Sequence, residues 1–266
     1  MLELEYIELT DVGRVRDHNE DYFGAWIPTS EAEGRTHGWL FVLADGVGGE
    51  ERGEVASQTA VEALLAGFQA SPKGEPHAVL LSRLVQSANT RIYELGRSSS
   101  PGGSRMATTV VACALRYDRA IVAHCGDSRC YLVRHGLASQ ITRDHTVVAE
   151  QVRMGILSES EAAESRNRHL LSRSLGNDLF VNVEITDRQV QPGDVLVQCS
   201  DGLHGPVKSA DIAEVVARTP DLKAAAAKLI DMANERDGGD NVSIQLIRVG
   251  AVERMGMYRG RPYKLR

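Results

Sequence analysis

Trp39-Leu40-Phe41-Val42-Leu43-Ala44-Asp45-Gly46-Val47-Gly48-Gly49-Glu50 is an apolar run that stops at an acid and a cluster of glycines, and a helical pattern resumes at Glu54. The run is short and rich in bulky side chains, so it reads as a buried strand ending in a tight turn. That reading puts Asp45 at a strand's end. A carboxylate there is fixed on one side, and Gly46 lets the backbone turn so that a main-chain carbonyl faces the same point, which suits a hard cation. An ordinary Asp-Gly turn would look the same in this segment. The rest of the chain has to decide.

Upstream, residues 4–10 alternate apolar and polar like a half-buried strand and lead into Asp11-Val12-Gly13-Arg14-Val15-Arg16-Asp17-His18-Asn19-Glu20-Asp21. This charged segment can be a solvated loop. Its functional reading gives Arg16 as a planar, bidentate donor for phosphate, with Glu20 and Asp21 adding negative charge near a cation.

Downstream, Glu54 to Gln69 places Val61, Leu64, Leu65 and Phe68 on one helical face, and a longer amphipathic helix spans about 77–97. Ser98 to Arg105 is a loop. From Ala107 strands are expected at 107–115, 120–125 and 131–133, neighbours in antiparallel pairing because their connections are short. Gly126-Asp127-Ser128-Arg129 joins the last two and puts a second acid at a strand's end. Residues 146–180 read as short polar helices with a Ser158-x-x-Glu161 capping box and little to contribute to a core, the most mobile part of the chain. A strand at 194–199 runs into Ser200-Asp201-Gly202, helices follow at 211–218 and 222–235, and Gly238-Gly239-Asp240-Asn241 precedes a last strand at 242–247.

At 266 residues and 42% hydrophobic, the chain can bury a full core as one domain. A net charge of -6 argues against nucleic acid as the partner. No apolar run is long enough to cross a bilayer, and Met1 to Glu5 has neither the basic start nor the apolar stretch of a signal peptide. A cytoplasmic protein with no membrane partner is expected. Cys113, Cys125, Cys130 and Cys199 lie in or beside strand-like runs without a Cys-x-x-Cys pair, as buried thiols would. Cys113 and Arg119 match the Cys-x5-Arg spacing of cysteine-dependent phosphatases, but the residues between them are too bulky to surround a phosphate with amides.

Asp45, Asp127, Asp201 and Asp240 come from four distant parts of the chain, each beside a glycine and next to a strand. Gathered by folding, four such charges repel unless cations sit among them. Oxygen-only ligands select Mn2+ or Mg2+ over zinc or copper. Two such ions can lower the pKa of a shared water towards about 7, and Arg16 makes phosphate the natural electrophile.

Arg16-x-x-Asn19-Glu20-Asp21, Ala44-Asp45-Gly46-x-Gly48-Gly49, Gly53-Glu54, Ala107-Thr108-Thr109, Gly126-Asp127-Ser128-Arg129, Asp144-His145, Arg173-x-Leu175-Gly176, Ser200-Asp201-Gly202 and Asp240-Asn241-Val242 occur in one order. In that order the sequence resembles the bacterial branch of the type 2C metal-dependent serine/threonine protein phosphatases, from about residue 4 to 249. The resemblance implies an α+β fold, a four-layer α-β-β-α sandwich of two antiparallel sheets flanked by helices. It implies a single phosphatase domain over 1–250 with a flap at about 146–175. Beyond it, the tail over 251–266 sets Arg254, Arg259, Arg261, Lys264 and Arg266 against one acid, Glu253, and reads as a basic end that is exposed or loosely docked. The resemblance implies two core Mn2+ or Mg2+ ions with Asp45 bridging both, the Gly46 carbonyl on one, and Asp201 and Asp240 on the other. Arg16 would hold the phosphoryl group, Glu20 and Asp21 would orient water, and Asp127 with Asp201 would hold a third ion. Phosphorylated protein substrates of a serine/threonine kinase, a monomeric enzyme and direct attack by a metal-bridging hydroxide are the further implications.

Two positions depart from the family pattern. Val47 stands where animal relatives carry a histidine proposed as general acid, and Glu50 where bacterial relatives often carry histidine. A catalytically weak sensory or partner-binding module on the same fold is the competing reading, and a hydrolase of small phosphate esters is a third.

Overall fold

Leu40, Val42 and Ala44 alternate with Phe41 and Leu43 along β3 (Trp39–Asp45), and all five are fully buried. The first set joins a cluster with Val61, Leu64, Phe68, Leu81, Val85 and Ile92 of α2 (Gly53–Gln69) and α3 (His77–Ser98). The second set joins Val111, Val122, Leu196 and Ile247 from other strands. The unbroken apolar run in the sequence therefore records a strand covered on both faces. Each such buried Leu or Phe contributes about 1.5–3 kcal/mol of burial free energy.

The computed structural model describes residues 1–47, 52–98, 106–258 and 261–264. One five-stranded antiparallel sheet has the order β2 (Asp21–Trp26), β3, β4 (Val110–Arg116), β5 (Arg119–Cys125), β8 (Glu184–Gln189). The other runs β1 (Glu3–Asp11), β10 (Val242–Ala251), β9 (Val195–Cys199), β6 (Arg129–Arg134), β7 (Leu137–Gln140), again antiparallel throughout. Helices α7 (Ser209–Arg218) and α8 (Leu222–Arg236) cover the second sheet through Ile212, Val215, Leu229 and Ile230. Three apolar layers thus lie between helices, sheet, sheet and helices, which is the expected four-layer α+β sandwich. No helix among the described residues is long and apolar enough to cross a membrane.

The structure corrects one expectation about pairing. β4 and β5 are neighbours, but β6 is not beside β5; it pairs with β9 and β7 in the opposite sheet. The short 126–128 connection is a crossing between sheets, not a hairpin, and Gly126 makes it with φ +111°, a conformation closed to ordinary side chains. Asp127 is thereby carried to the end of the sandwich, between the two sheets.

Other differences are smaller. β2, β7, α1 (Glu31–Thr36) and α6 (Asp201–His204) are too short to have carried a periodic signal. The 146–175 segment holds α4 (Val147–Arg153) and α5 (Glu159–Glu164), the latter with its Ser158–Glu161 capping box, and buries little beyond Val148 and Leu175. Past β10, Glu253 is buried and pairs with Arg35 at 3.2 Å, and 255–258 and 261–264 form a two-stranded ribbon, β11 with β12. Gly48, Gly49, Glu50, residues 99–105, Arg259 and Arg266 lie outside the described residues.

Candidate metal centre

Three kinds of strand end meet at one edge of the sandwich. β3 delivers Asp45, β9 stops at Ser200 so that Asp201 opens α6, and Asp240 stands just before β10. Together with Asp127 they line a cavity of about 340 Å³, whose wall also includes Arg16, Gly46, Val47, Thr109, His169, Leu170 and Ser174. Of the eight residues expected from the sequence, the fold brings six into this one cavity: Arg16, Asp45, Gly46, Asp127, Asp201 and Asp240. Asp21 lies directly behind it as the register partner of Asp45. Glu20 does not line the cavity; its buried carboxylate faces His18 at 3.2 Å and lies within 4.8 Å of Glu54.

Asp45 is held at its main chain by Thr108 and Thr109. The Thr109 Oγ1 accepts from the Asp45 N–H at 3.0 Å, while the Thr109 N–H and the Thr108 hydroxyl donate to the Asp45 carbonyl, each at 2.8 Å. The Thr108 N–H and C=O bond the Leu175 main chain at 3.2 and 2.8 Å, which ties the end of the 146–175 segment to the same spot. The Thr109 hydroxyl also meets the Ser128 hydroxyl at 2.6 Å, linking Asp45 to the turn that bears Asp127. On the other side, His204 Nε2–H donates to the Asp127 carbonyl at 3.0 Å, fixing that turn to α6.

The electrostatics are those of crowded carboxylates. Burial, then the charges on Asp21, Asp201, Asp127 and Asp240, push the Asp45 carboxyl well above the ordinary carboxylate value. Burial pushes Asp21 up to about 7, with Asp201 and Asp240 adding to it against hydrogen bonds from Ser243 and Ser200. Asp127 reaches about 7 through burial first and Asp201 next. Burial also raises Asp201, but His169, His204 and a hydrogen bond with Asp45 outweigh it and leave this carboxyl below its usual value. A cluster that must take up protons when empty is one that divalent cations would neutralise.

The donor chemistry fits Mn2+ or Mg2+. Every side-chain donor of the expected set is a carboxylate oxygen, with the Gly46 carbonyl beside them. Asp21 adds a specific observation: its Oδ2 accepts from the Ser200 hydroxyl at 2.8 Å, yet its Oδ1 is buried with no hydrogen-bond partner. A buried, unsatisfied carboxylate oxygen is costly and calls for a cation or an ordered water beside it.

A second cavity, about 900 Å³, is lined by Arg143, Asp144, His145, Glu150, Arg173 and Glu184 among others. In it Asp144 pairs with Arg129 at 2.6 Å and Glu184 with Arg143 at 2.8 Å. His124, His145 and Glu184 come close enough here to resemble a metal cage. The Gly126 N–H, however, donates to His145 Nδ1 at 3.2 Å, which leaves the ring proton on Nε2, facing Glu184 Oε2 as a donor. His145 and Glu184 are thus hydrogen-bonded to each other, and the His124 ring stacks on that of His145 with centroids 4.7 Å apart. The Cys113 thiol, pushed up to about 12 by burial, is no nucleophile either.

His169 is the site residue that the sequence reading left without a role. It reaches in from the 146–175 segment, Nδ1 lies 3.4 Å from Asp201 Oδ2, and the bond to Asp201 raises its pKa. Its only trace in the sequence is a polar run, Arg166 to His169, which has no period that could place it opposite Asp201.

Residues 14–243 match the sequence model of the family described as protein phosphatase 2C. A putative protein phosphatase 2C-type from Streptococcus pyogenes is 36% identical over 240 residues, 90% of this chain and 94% of that protein. The serine/threonine phosphatase stp of Listeria innocua is 33% identical over 255 residues, 95% of this chain and 96% of that protein. Among solved structures, the Streptococcus agalactiae serine/threonine phosphatase superposes with a TM-score of 0.84 at 34% identity, over 93% of this chain and 100% of that one. The catalytic domain of the serine/threonine protein phosphatase PstP, solved in complex with two manganese ions, gives 0.79 at 33% identity over 94% of this chain and 100% of that one.

Proposed function

This chain belongs to the protein phosphatase 2C family and is a metal-dependent serine/threonine protein phosphatase acting on phosphorylated proteins, and from that premise we propose how its residues divide the work. The observation that carries the proposal is the convergence of Arg16, Asp45, Asp127, Asp201 and Asp240 on one cavity. Asp45 and the Gly46 carbonyl, with Asp201 and Asp240, would hold two Mn2+ or Mg2+ ions. Asp127 with Asp201 would hold a third. When bound, the core pair supplies the charge that lowers the pKa of water and so makes it a nucleophile at neutral pH.

Arg16 binds the phosphoryl oxygens through its planar fork and orients phosphorus for in-line attack without a phosphoenzyme. That fork reaches Asp240, Nη2 donating to Oδ2 at 2.9 Å, so the guanidinium stands at the acidic centre. Asp21, behind Asp45, orients water with its unpartnered Oδ1. Glu20 acts from further away: its main-chain carbonyl accepts from the Gly46 N–H at 3.1 Å. Val47 lines the cavity and offers no proton, so the leaving alkoxide takes its proton from elsewhere in the site.

Residues 1–250 act as one phosphatase domain, with 146–175 as a flap over the cavity and a basic tail beyond it. The enzyme works as a cytoplasmic monomer that reverses a serine/threonine kinase. Activity on p-nitrophenyl phosphate and on a phosphothreonine peptide, with Mn2+ and with chelator, tests the reading. Chelator-sensitive release from both supports it, and chelator-resistant turnover contradicts it.

A further inference from the structure

Asn241 follows Asp240 and has only 4% of its surface exposed. Its Oδ1 accepts from the Glu20 N–H at 2.8 Å, and its Nδ2 donates to the Val12 carbonyl at 2.9 Å and to the His18 carbonyl at 3.0 Å. One carboxamide thus spends its acceptor and both donors on main-chain groups at the two ends of the loop that carries Arg16. We propose that Asn241 is a positioning residue that clamps the 12–20 loop and so sets the place of Arg16 at the phosphate subsite. The inference rests on the reading that Arg16 binds the phosphoryl group.

The loop has little else to hold it where Arg16 sits. Residues 14–18 are all exposed, Val15 at 71%, so no apolar anchor fixes this stretch. What it has is close contact with the 238–241 turn. The Arg14 N–H donates to the Gly238 carbonyl at 2.8 Å. Gly13, at φ +85°, passes so near that a Cβ there would come within 2.3 Å of the Asp240 carbonyl oxygen. The chain that presents the arginine and the chain that presents Asp240 are therefore one hydrogen-bonded unit, and Asn241 makes three of its bonds.

The residue type follows from the bonds. An acceptor and two donors in one plane, reaching three main-chain groups, is what a carboxamide offers; aspartate keeps the acceptor and loses both donors, and alanine loses all three. Without the clamp the loop gains freedom. Arg16 then spends less time in register with phosphate, and misplacement of such a group is costly even when the group itself is intact.

The test is a double-mutant cycle with Arg16→Ala, Asn241→Ala and both together, read as KM and kcat on a phosphothreonine peptide, the inhibition constant of inorganic phosphate, and Mn2+ affinity by calorimetry. Asn241→Ala should raise KM and the phosphate inhibition constant roughly 10- to 100-fold with Mn2+ affinity held, and the double variant should lose no more than Arg16→Ala alone. Independent, additive losses would overturn the clamp, as would weakened Mn2+ binding with an unchanged phosphate constant. If Arg16→Ala leaves both phosphate readouts at wild type, the reading of Arg16 fails and the inference with it. Should Asn241→Ala not fold, Asn241→Asp, which keeps the acceptor for the Glu20 N–H, takes its place in the cycle.

Discussion

Asp21, the first residue of β2, stands directly opposite Asp45, the last residue of β3, in the antiparallel register of their sheet. Paired residues in such a ladder have Cα atoms about 4.5–5.5 Å apart, so two acids are built into one rung at the sandwich's edge. Like charges directly opposite are destabilising. The arrangement makes sense as part of a site that is completed by cations.

The first prediction concerns pH in the metal-free protein. Asp21 has its pKa raised from 3.8 to about 7, so the folded state holds this proton more tightly than the unfolded chain does. Its contribution to stability is fully present below about pH 4 and is lost as pH rises through about 7. In chelator, Asp21→Asn should therefore melt above wild type at pH near 8, and the gap should close towards pH 4. Mn2+ should raise the wild-type melting temperature more at pH near 8 than at pH near 5.5, where protons compete with it. An equal effect of Asn at both ends of the range would mean that Asp21 is not the acid described.

Arg16 gives the second. Arg16→Ala should lower kcat/KM by about 10²-fold, the order expected for one charge-stabilising donor, with Mn2+ affinity near wild type. Arg16→Lys should recover only part, because a point charge cannot make the paired contact. Steady-state kinetics with calorimetry on the same preparations decide it, and an unchanged kcat/KM in Arg16→Ala would dismiss the role.

For Asp127 the sheet crossing at Gly126 matters, since it puts this acid beside Asp201 in the cavity. Asp127→Asn should keep two bound Mn2+ and yet lose about 10-fold or more on a phosphopeptide, the lower range for assisted proton transfer. The loss should shrink on p-nitrophenyl phosphate, whose leaving group needs no proton. Equal losses on both substrates would remove Asp127 from leaving-group chemistry, and no loss would leave it a turn residue.

What could be read from the sequence was what local chemistry encodes. The acids announced themselves because each stands beside a glycine at the end of an apolar run, and a strand end fixes where such a side chain goes. The long helices α2 and α3 showed in their period. The β5-to-β6 crossing did not, because a short connection between two strands reads as a hairpin unless the partner strand, here β9, is known. Nor did the contacts of His169 with Asp201 or of Asn241 with Val12 and His18, which join residues 32 to 229 positions apart. Sequence position carries no trace of such distances.

Asp45→Asn is the most direct measurement of the central claim, that a carboxylate-held metal pair at this cavity performs the hydrolysis. Phosphate release from a phosphothreonine peptide should fall by at least about 10²–10³-fold at saturating Mn2+, the cost of losing one key charged group, while the circular dichroism spectrum stays that of the wild type. Calorimetry should show weakened Mn2+ binding in the same sample. Phosphate release near the wild-type rate from a folded Asp45→Asn protein would contradict the account.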